Sequence, residues 1–239
     1  MTLKSQGRIS GHHRRDLLVD ALPTPLEAFE AQNQVGNQTT NTLQTSSQHL
    51  TFEQKKQKAI LLSKKIEMQE GLPFLYGWKW YTWGRDFFES TNKFNFLTAA
   101  NQVGKSSFNI RKCIDWATNT KKWPTLWNHK PQQFWYFYPT TNQAIIEFET
   151  KWKQFLPKGA FKDDPTYGWR VELKHKEVFA IHFNSGVHVY FKTYSQKATA
   201  LQTGTCDALF LDEELPVELY DELIFRISAT NGYFHMVFT

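Results

Sequence analysis

The chain has 239 residues, is 41% hydrophobic and carries a formal net charge of +5, which suits one substantial α/β domain with an added arm and permits a polyanionic partner without requiring one. No run reaches the length of a membrane-spanning helix, because the apolar stretch 179–189 is broken by His182, Asn184, Ser185 and His188, and the opening residues lack the apolar core of a secretory signal. Cys113 and Cys206 make no disulfide framework and have no paired Cys or His spacing around them, so zinc is not expected and both read as buried small hydrophobes of a protein in a reducing cytosol.

Taken in chain order, residues 1–50 are polar, and the Asn/Gln/Thr/Ser-rich stretch 32–48 buries too little apolar surface to offset chain ordering. It reads as a flexible arm and linker. A short amphipathic segment within it, 17–32, is either a fraying end or a docking element for a partner. The ordered domain is expected to span 51–239. Thr51 and Gln54 stand at capping-box spacing, and Gly71 is placed where that helix would stop. Lys55, Lys56, Lys58, Lys64 and Lys65 stud it, as a solvated face or a DNA-contacting one. An aromatic, turn-rich stretch follows over 74–90.

Beyond it strands and helices alternate. The pattern predicts a strand at 94–98, a helix at 105–118, a strand at 134–138 and a helix at 142–156. Two strands then flank an Asn184-Ser185-Gly186 turn. A short buried strand at 209–211, a helix at 217–227 and a strand at 233–238 complete the chain. This is the order of a mainly parallel sheet with helices on both faces and an inserted hairpin.

Two stretches carry chemistry. Residues 99–106 fit the pattern Ala/Gly-x4-Gly-Lys-Ser between a strand and a helix. Such a loop aims backbone N–H groups at phosphate oxygens from the positive end of a helix dipole. Gly104 leaves room for that approach, Lys105 faces the β/γ-phosphates, and the Ser106 hydroxyl enters a Mg²⁺ shell. Ala99, Ala100, Asn101, Gln102, Val103 and Ser107 complete the ATP-binding loop. Downstream, the apolar run 208–211 ends in Asp212-Glu213-Glu214. Asp212 is the candidate Mg²⁺ ligand through its water shell, and Glu213 the candidate base for the attacking water. An acidic strand end facing solvent would explain a lone Asp-Glu pair; the upstream loop favours nucleotide hydrolysis with ATP and Mg²⁺ as cofactors.

The stretches WGRDFFES…NFLTAANQVGKS, YPTTNQAIIEF, LFLDEELPVELYDELIFRI and the closing HMVFT together resemble the ATPase domain of the large terminase subunit of tailed bacteriophages, over about residues 50–239. The resemblance implies a P-loop NTPase of the additional-strand, catalytic-glutamate type that drives double-stranded DNA into a procapsid. It implies a homo-oligomeric ring on a portal protein, a small terminase subunit as partner, a monomer in isolation, no membrane association, and the host cytoplasm as location. By the same resemblance Thr239 ends a coupling motif that senses the γ-phosphate, and a nuclease domain is expected to be missing from this chain. A helicase- or repair-type ATPase on free nucleic acid is the alternative.

The sequence departs from that family at three points. Asn101 or Gln102 stands where an Arg is common in the loop, Gly84 where a Gln helps recognise adenine, and Gln202 where an Arg acts on a neighbour's ATP. Trp83 and Arg85 are therefore candidates for base contact, with a core position the favoured reading of Trp83. Lys197 and Arg226 are candidates for the missing cation, with a helix-surface ion pair as the other reading of Arg226. Arg111 reads as structural. Asp207, Glu214, Glu218 and Glu222 read as caps or solvated faces, and His182 and His188 as ordinary strand residues.

Overall fold

The computed structural model describes residues 51–76, 81–196, 201 and 204–239; the arm expected at 1–50, Lys197 and Gln202 lie outside these. Helix α1, Phe52–Gly71, begins with the expected capping box: Gln54 N donates to Thr51 Oγ1 at 3.3 Å and Thr51 N to Gln54 Oε1 at 2.9 Å. Its lysines are exposed. Gly71 closes the helix for a packing reason, because a Cβ there would lie 2.2 Å from the Phe161 ring.

The aromatic stretch differs from expectation. Thr82–Glu89 is a helix, α2. It buries Gly84, Phe87 and Phe88 on one side, and its C-terminal carbonyls are held from outside. Lys112, fully buried, donates to Phe87 O, Phe88 O and Ser90 O at 2.7, 2.9 and 2.6 Å. Burial pushes its ammonium down to about 7. A cap supplied by a distant lysine leaves no mark in the local sequence, where the helix is legible only as aromatic clutter. Gly84 lets α2 approach the next helix, since a Cβ would stand 2.1 Å from Phe108 Cζ. Gly84→Ala is expected to lower stability by about 1–3 kcal/mol through overpacking, measured as a shift in denaturation midpoint; a variant as stable as the parent would contradict this packing.

The sheet has seven strands: β1 Phe94–Thr98, β2 Gln133–Tyr138, β3 Trp169–Lys174, β4 Glu177–Phe183, β5 His188–Thr193, β6 Ala208–Asp212 and β7 Tyr233–Phe238. Their order is β1-β7-β6-β2-β5-β4-β3. Every pairing from β1 to β5 is parallel, and β4 and β3 extend the sheet antiparallel. Edge strand β3 is an addition to the expected set, because its Val171 and Leu173 are exposed and give no apolar signal for a core.

The helices are α3 Lys105–Thr118, the single turn α4 Pro124–Trp127, α5 Thr141–Glu147 and α6 Val217–Ser228. Beyond α5 the helix expected over 142–156 continues, but through a π-helical turn, Phe148–Trp152, and a last piece at Lys153–Phe155.

Side-chain alternation sorts the two faces. Phe134, Tyr136, Tyr138 and Phe210 join Ile110, Ile114 and Trp116 of α3 and Ala144 of α5 in one core. Trp135, Phe137, Leu209 and Leu211 join Leu219, Leu223 and Ile227 of α6 in another. Strands buried on both sides are what a parallel sheet requires.

Arg111 is structural. Its guanidinium is buried and donates to Phe74 O, Pro73 O and Tyr76 O at 2.7, 2.8 and 3.0 Å, fixing the turn after α1. Asp207 caps the start of β2 by accepting from Gln132 N and Gln133 N at 2.8 and 2.9 Å. His182 and His188 are more than ordinary strand residues: their Nδ1 atoms lie 2.8 Å apart, and His182 Nε2 lies 2.9 Å from Glu172 Oε2. That contact depends on β3, which the sequence pattern does not reveal.

Candidate active site

The parallel strands deliver one end of the sheet to a single spot. Chain leaves β1 at Thr98 and enters α3 at Lys105 through a loop with Gln102 and Gly104 at φ of 63° and 94°. A Cβ on Gly104 would meet nothing within 4 Å, so glycine is needed there for its left-handed backbone and not for space. No side chain caps α3. The first-turn N–H groups are left to an anion, at the positive end of a 14-residue helix.

Lys105 is buried at 7% exposure and uses all three ammonium hydrogens. Nζ donates to Ala99 O at 2.6 Å, Ala100 O at 2.9 Å and Thr239 Oγ1 at 3.1 Å. Thr239 in turn donates to Asn101 Oδ1 at 2.9 Å. The structure thus brings Thr239 onto the loop, touching two of its residues. Asn101 and Gln102 are exposed, Ser106 and Ser107 half-buried.

Ser106 Oγ donates to Asp212 Oδ1 at 2.8 Å, across 106 residues of chain. Asp212 is only 2% exposed, and its Oδ2 is closed off from solvent with no partner among the described residues. Burial pushes its carboxyl up to about 7; the Ser106 hydrogen bond and Lys151 oppose the rise, while Glu147 and then Glu213 add to it.

The donor set fits Mg²⁺. It offers a hydroxyl and a carboxylate, both hard oxygen groups, with an orphaned buried oxygen, as suits an ion that takes most of its shell from water and phosphate. Among the described residues no group of three His, Cys, Asp or Glu is placed to hold a metal by itself, and both cysteines are buried thiols.

Glu213 follows with φ of 75°, a left-handed conformation that costs a non-glycine residue on the order of 1–3 kcal/mol. Two contacts hold it. Glu213 N donates to Val237 O at 2.8 Å, and the Tyr194 hydroxyl lies 2.9 Å from Glu213 O and 3.2 Å from Asp212 O. Sequence reasoning misses Tyr194, since a tyrosine just past β5 carries no local signal for the end of β6. The same is true of Asn109, whose Nδ2 donates to Leu211 O at 3.2 Å and ties α3 to the acidic strand.

The other described candidates sit on α2 and α6. Trp83 is half-buried, stacked on Tyr81 at 5.5 Å and edge-on to Phe108 at 5.1 Å, at the margin of a small core of Phe87, Leu97, Phe108 and Val237. Arg85 is exposed on α2. Arg226 pairs with Glu222 one turn earlier on α6, Nε to Oε1 at 2.6 Å, which is the helix-surface pairing.

A phosphate-loop strand and an acidic strand separated by one inserted strand, here β1, β7 and β6, define a P-loop NTPase fold of the additional-strand type. No protein-family model matches the chain, and no curated protein sequence does. Among solved structures it is similar to the large terminase of a thermophilic bacteriophage (crystal form 3), at 14% identity and a TM-score of 0.45, over 67% of this chain and 38% of that one. It is similar also to that terminase in complex with ADP, at 15% identity and a TM-score of 0.45, over 66% and 39%. The chain therefore spans about two fifths of the length of those proteins.

Proposed function

We propose that this chain is an ATP-hydrolysing motor domain of a viral DNA-packaging terminase. The observation that carries the ATPase reading is the 2.8 Å contact between Ser106 and Asp212, which joins the phosphate loop to the acidic strand in one site. In this reading Lys105 and the open N–H groups of α3 neutralise the β- and γ-phosphates. Ser106 and Asp212 would hold Mg²⁺, which when bound would supply charge neutralisation for the phosphates. Glu213 takes the proton of the attacking water. Thr239, bonded to Lys105, is the residue through which the loop reports its state. The packaging role rests on the resemblance of the quoted stretches to large terminases. It brings with it double-stranded DNA, a portal protein and a small terminase subunit as partners, in the host cytoplasm.

A translocase that grips the phosphate backbone binds without base preference and loses affinity steeply with salt. With +5 net charge one subunit neutralises few phosphates, and strength is expected only when several subunits act together. The test is ATP turnover by the purified chain with and without duplex DNA, across salt concentrations. We expect slow turnover by a monomer, because a ring motor takes a stabilising cation from its neighbour, and stimulation by duplex DNA of any sequence. No ATP binding would sink the ATPase reading. Sequence-specific monomer binding on the order of nanomolar at physiological salt would sink the motor reading and leave a DNA-recognition module.

A further inference from the structure

Away from the proposed site, side chains on three neighbouring strands form one hydrogen-bonded chain: Glu172 of β3, His182 of β4 and His188 of β5. All three are half-buried. His182 and His188 stand directly opposite each other across β4 and β5. The next pair toward the turn is joined by the backbone, Phe183 N donating to Val187 O at 2.9 Å. That bond keeps the strands from parting where the rings meet.

The contacts fix how many protons the pair can hold. An ionised Glu172 only accepts, so His182 Nε2 carries a hydrogen and donates across 2.9 Å. The 2.8 Å gap between the two Nδ1 atoms holds one hydrogen, because one nitrogen must present its lone pair. Two protonation states satisfy both contacts. In the first, both rings are neutral and His188 donates to His182. In the second, His182 is an imidazolium and donates to His188. A further proton puts a hydrogen on both Nδ1 atoms, deletes the bond and sets two cations against each other.

The neighbours oppose that proton. Arg170 lies opposite His182 on β3, and Lys174 Nζ lies 3.7 Å from Glu172 Oε1. Lys130 and Gln132 line the cavity beside His188, and Tyr190 stands edge-on to its ring at 6.5 Å. Glu172 offsets these cations, its carboxyl held below the usual range by the His182 hydrogen bond. Burial, then His182 and Arg170, lower His188 below its ordinary 6.5, with Glu172 opposing.

The pair sits at the base of a turn that touches two other parts of the fold. Asn184 N donates to Gly168 O at 2.8 Å and Asn184 Nδ2 to Asp164 O at 2.9 Å, tying the turn to the chain that enters β3. Ser185 Oγ donates to Ala117 O at 2.5 Å, in the last turn of α3. Glu172 tethers His182, so His188 is the ring that turns out when the two repel. The cavity it borders is shared with Ser185 and Gly186 of the turn.

We infer that His182 and His188 form a proton-operated latch on the β4–β5 turn. It is closed by one shared hydrogen and opened when both rings are protonated, loosening the turn's hold on β3 and on the end of α3. The folded state holds His188 below its unfolded value, so the latch contributes fully above pH 6.5 and is lost as pH falls below it.

The test follows the imidazole rings and backbone amides of the isotope-labelled full chain by nuclear magnetic resonance, from about pH 8 down to about pH 5. The two rings are expected to take up protons in two separate steps. Below pH 6.5, amide protection at Phe183 and Gly186, corrected for the pH dependence of exchange itself, is expected to fall by up to about tenfold per pH unit. His188→Gln keeps a polar side chain that cannot titrate, and is expected to hold protection level over the same range. If that variant does not fold, His182→Gln removes the opposing charge and is expected to raise the His188 step toward 6.5. Rings that titrate together in the parent overturn the latch. So does protection that falls as steeply in a folded His188→Gln chain as in the parent, because the sensitivity then lies elsewhere.

Discussion

Lys105→Ala is expected to abolish measurable ATP hydrolysis and to weaken ATP binding, while leaving the domain folded. The ammonium sits at 7% exposure at the foot of α3, where in the proposed site it would turn from the loop carbonyls to the phosphates. Removing one preorganised charge of this kind costs on the order of 10²–10³-fold in turnover. The fold should tolerate the loss, because the side chain bonds to loop carbonyls and to Thr239 rather than to the core. Turnover measured beside a thermal melt decides the matter. A folded Lys105→Ala chain that keeps turnover within a few-fold of the parent would show that the loop does not hold the reacting nucleotide.

Glu213→Gln is expected to behave differently: ATP still binds, but turnover falls by roughly 10²–10⁴-fold, the usual worth of a positioned general base. The amide keeps the shape and loses the ability to take a proton, so the effect belongs in kcat and not in affinity. The strained backbone at 213, φ of 75°, is held by Val237 and Tyr194, and neither contact involves the carboxylate that the substitution changes. Glu214→Gln serves as the control and should be close to neutral. If the two variants exchange behaviour, the base is the residue one place further along.

Much of the fold is legible in the sequence because apolar periodicity and punctuation agree. Strand 94–98, helix 105–118 and strand 233–238 have the limits that the pattern predicts, each a clear run bounded by turn residues. What escapes depends on distant partners. Helix α2 needs Lys112 to finish its carbonyls and Phe108 to accept its glycine. Strand β3 is an edge whose exposed Val171 and Leu173 look like surface.

At the site, the loop and the acidic pair announce themselves through residue type and spacing. Tyr194 and Asn109 do not, since each is ordinary in its own element and gains meaning only from the strand that meets it in space. Gly84 shows the reverse case. Read as a gap in a base-recognition motif, it is a position where any side chain would collide with Phe108.

The inserted strand constrains how a nucleotide-linked change could travel in the proposed ATPase. β7 lies between the loop strand and the acidic strand, with Phe238 opposite Thr98 and Val237 opposite Asp212. Sliding it by one residue would turn every side chain to the opposite face. His235 would leave its slot, where it stacks on Phe210 at 4.9 Å, meets Trp116 edge-on at 4.6 Å and bonds Asn95 at 3.1 Å. β7 is thus a fixed rail and not a piston. In the proposed ATPase, a change at the phosphate loop would therefore reach the strand as a rotation at Thr239, which bonds Lys105 and Asn101, rather than as a slide.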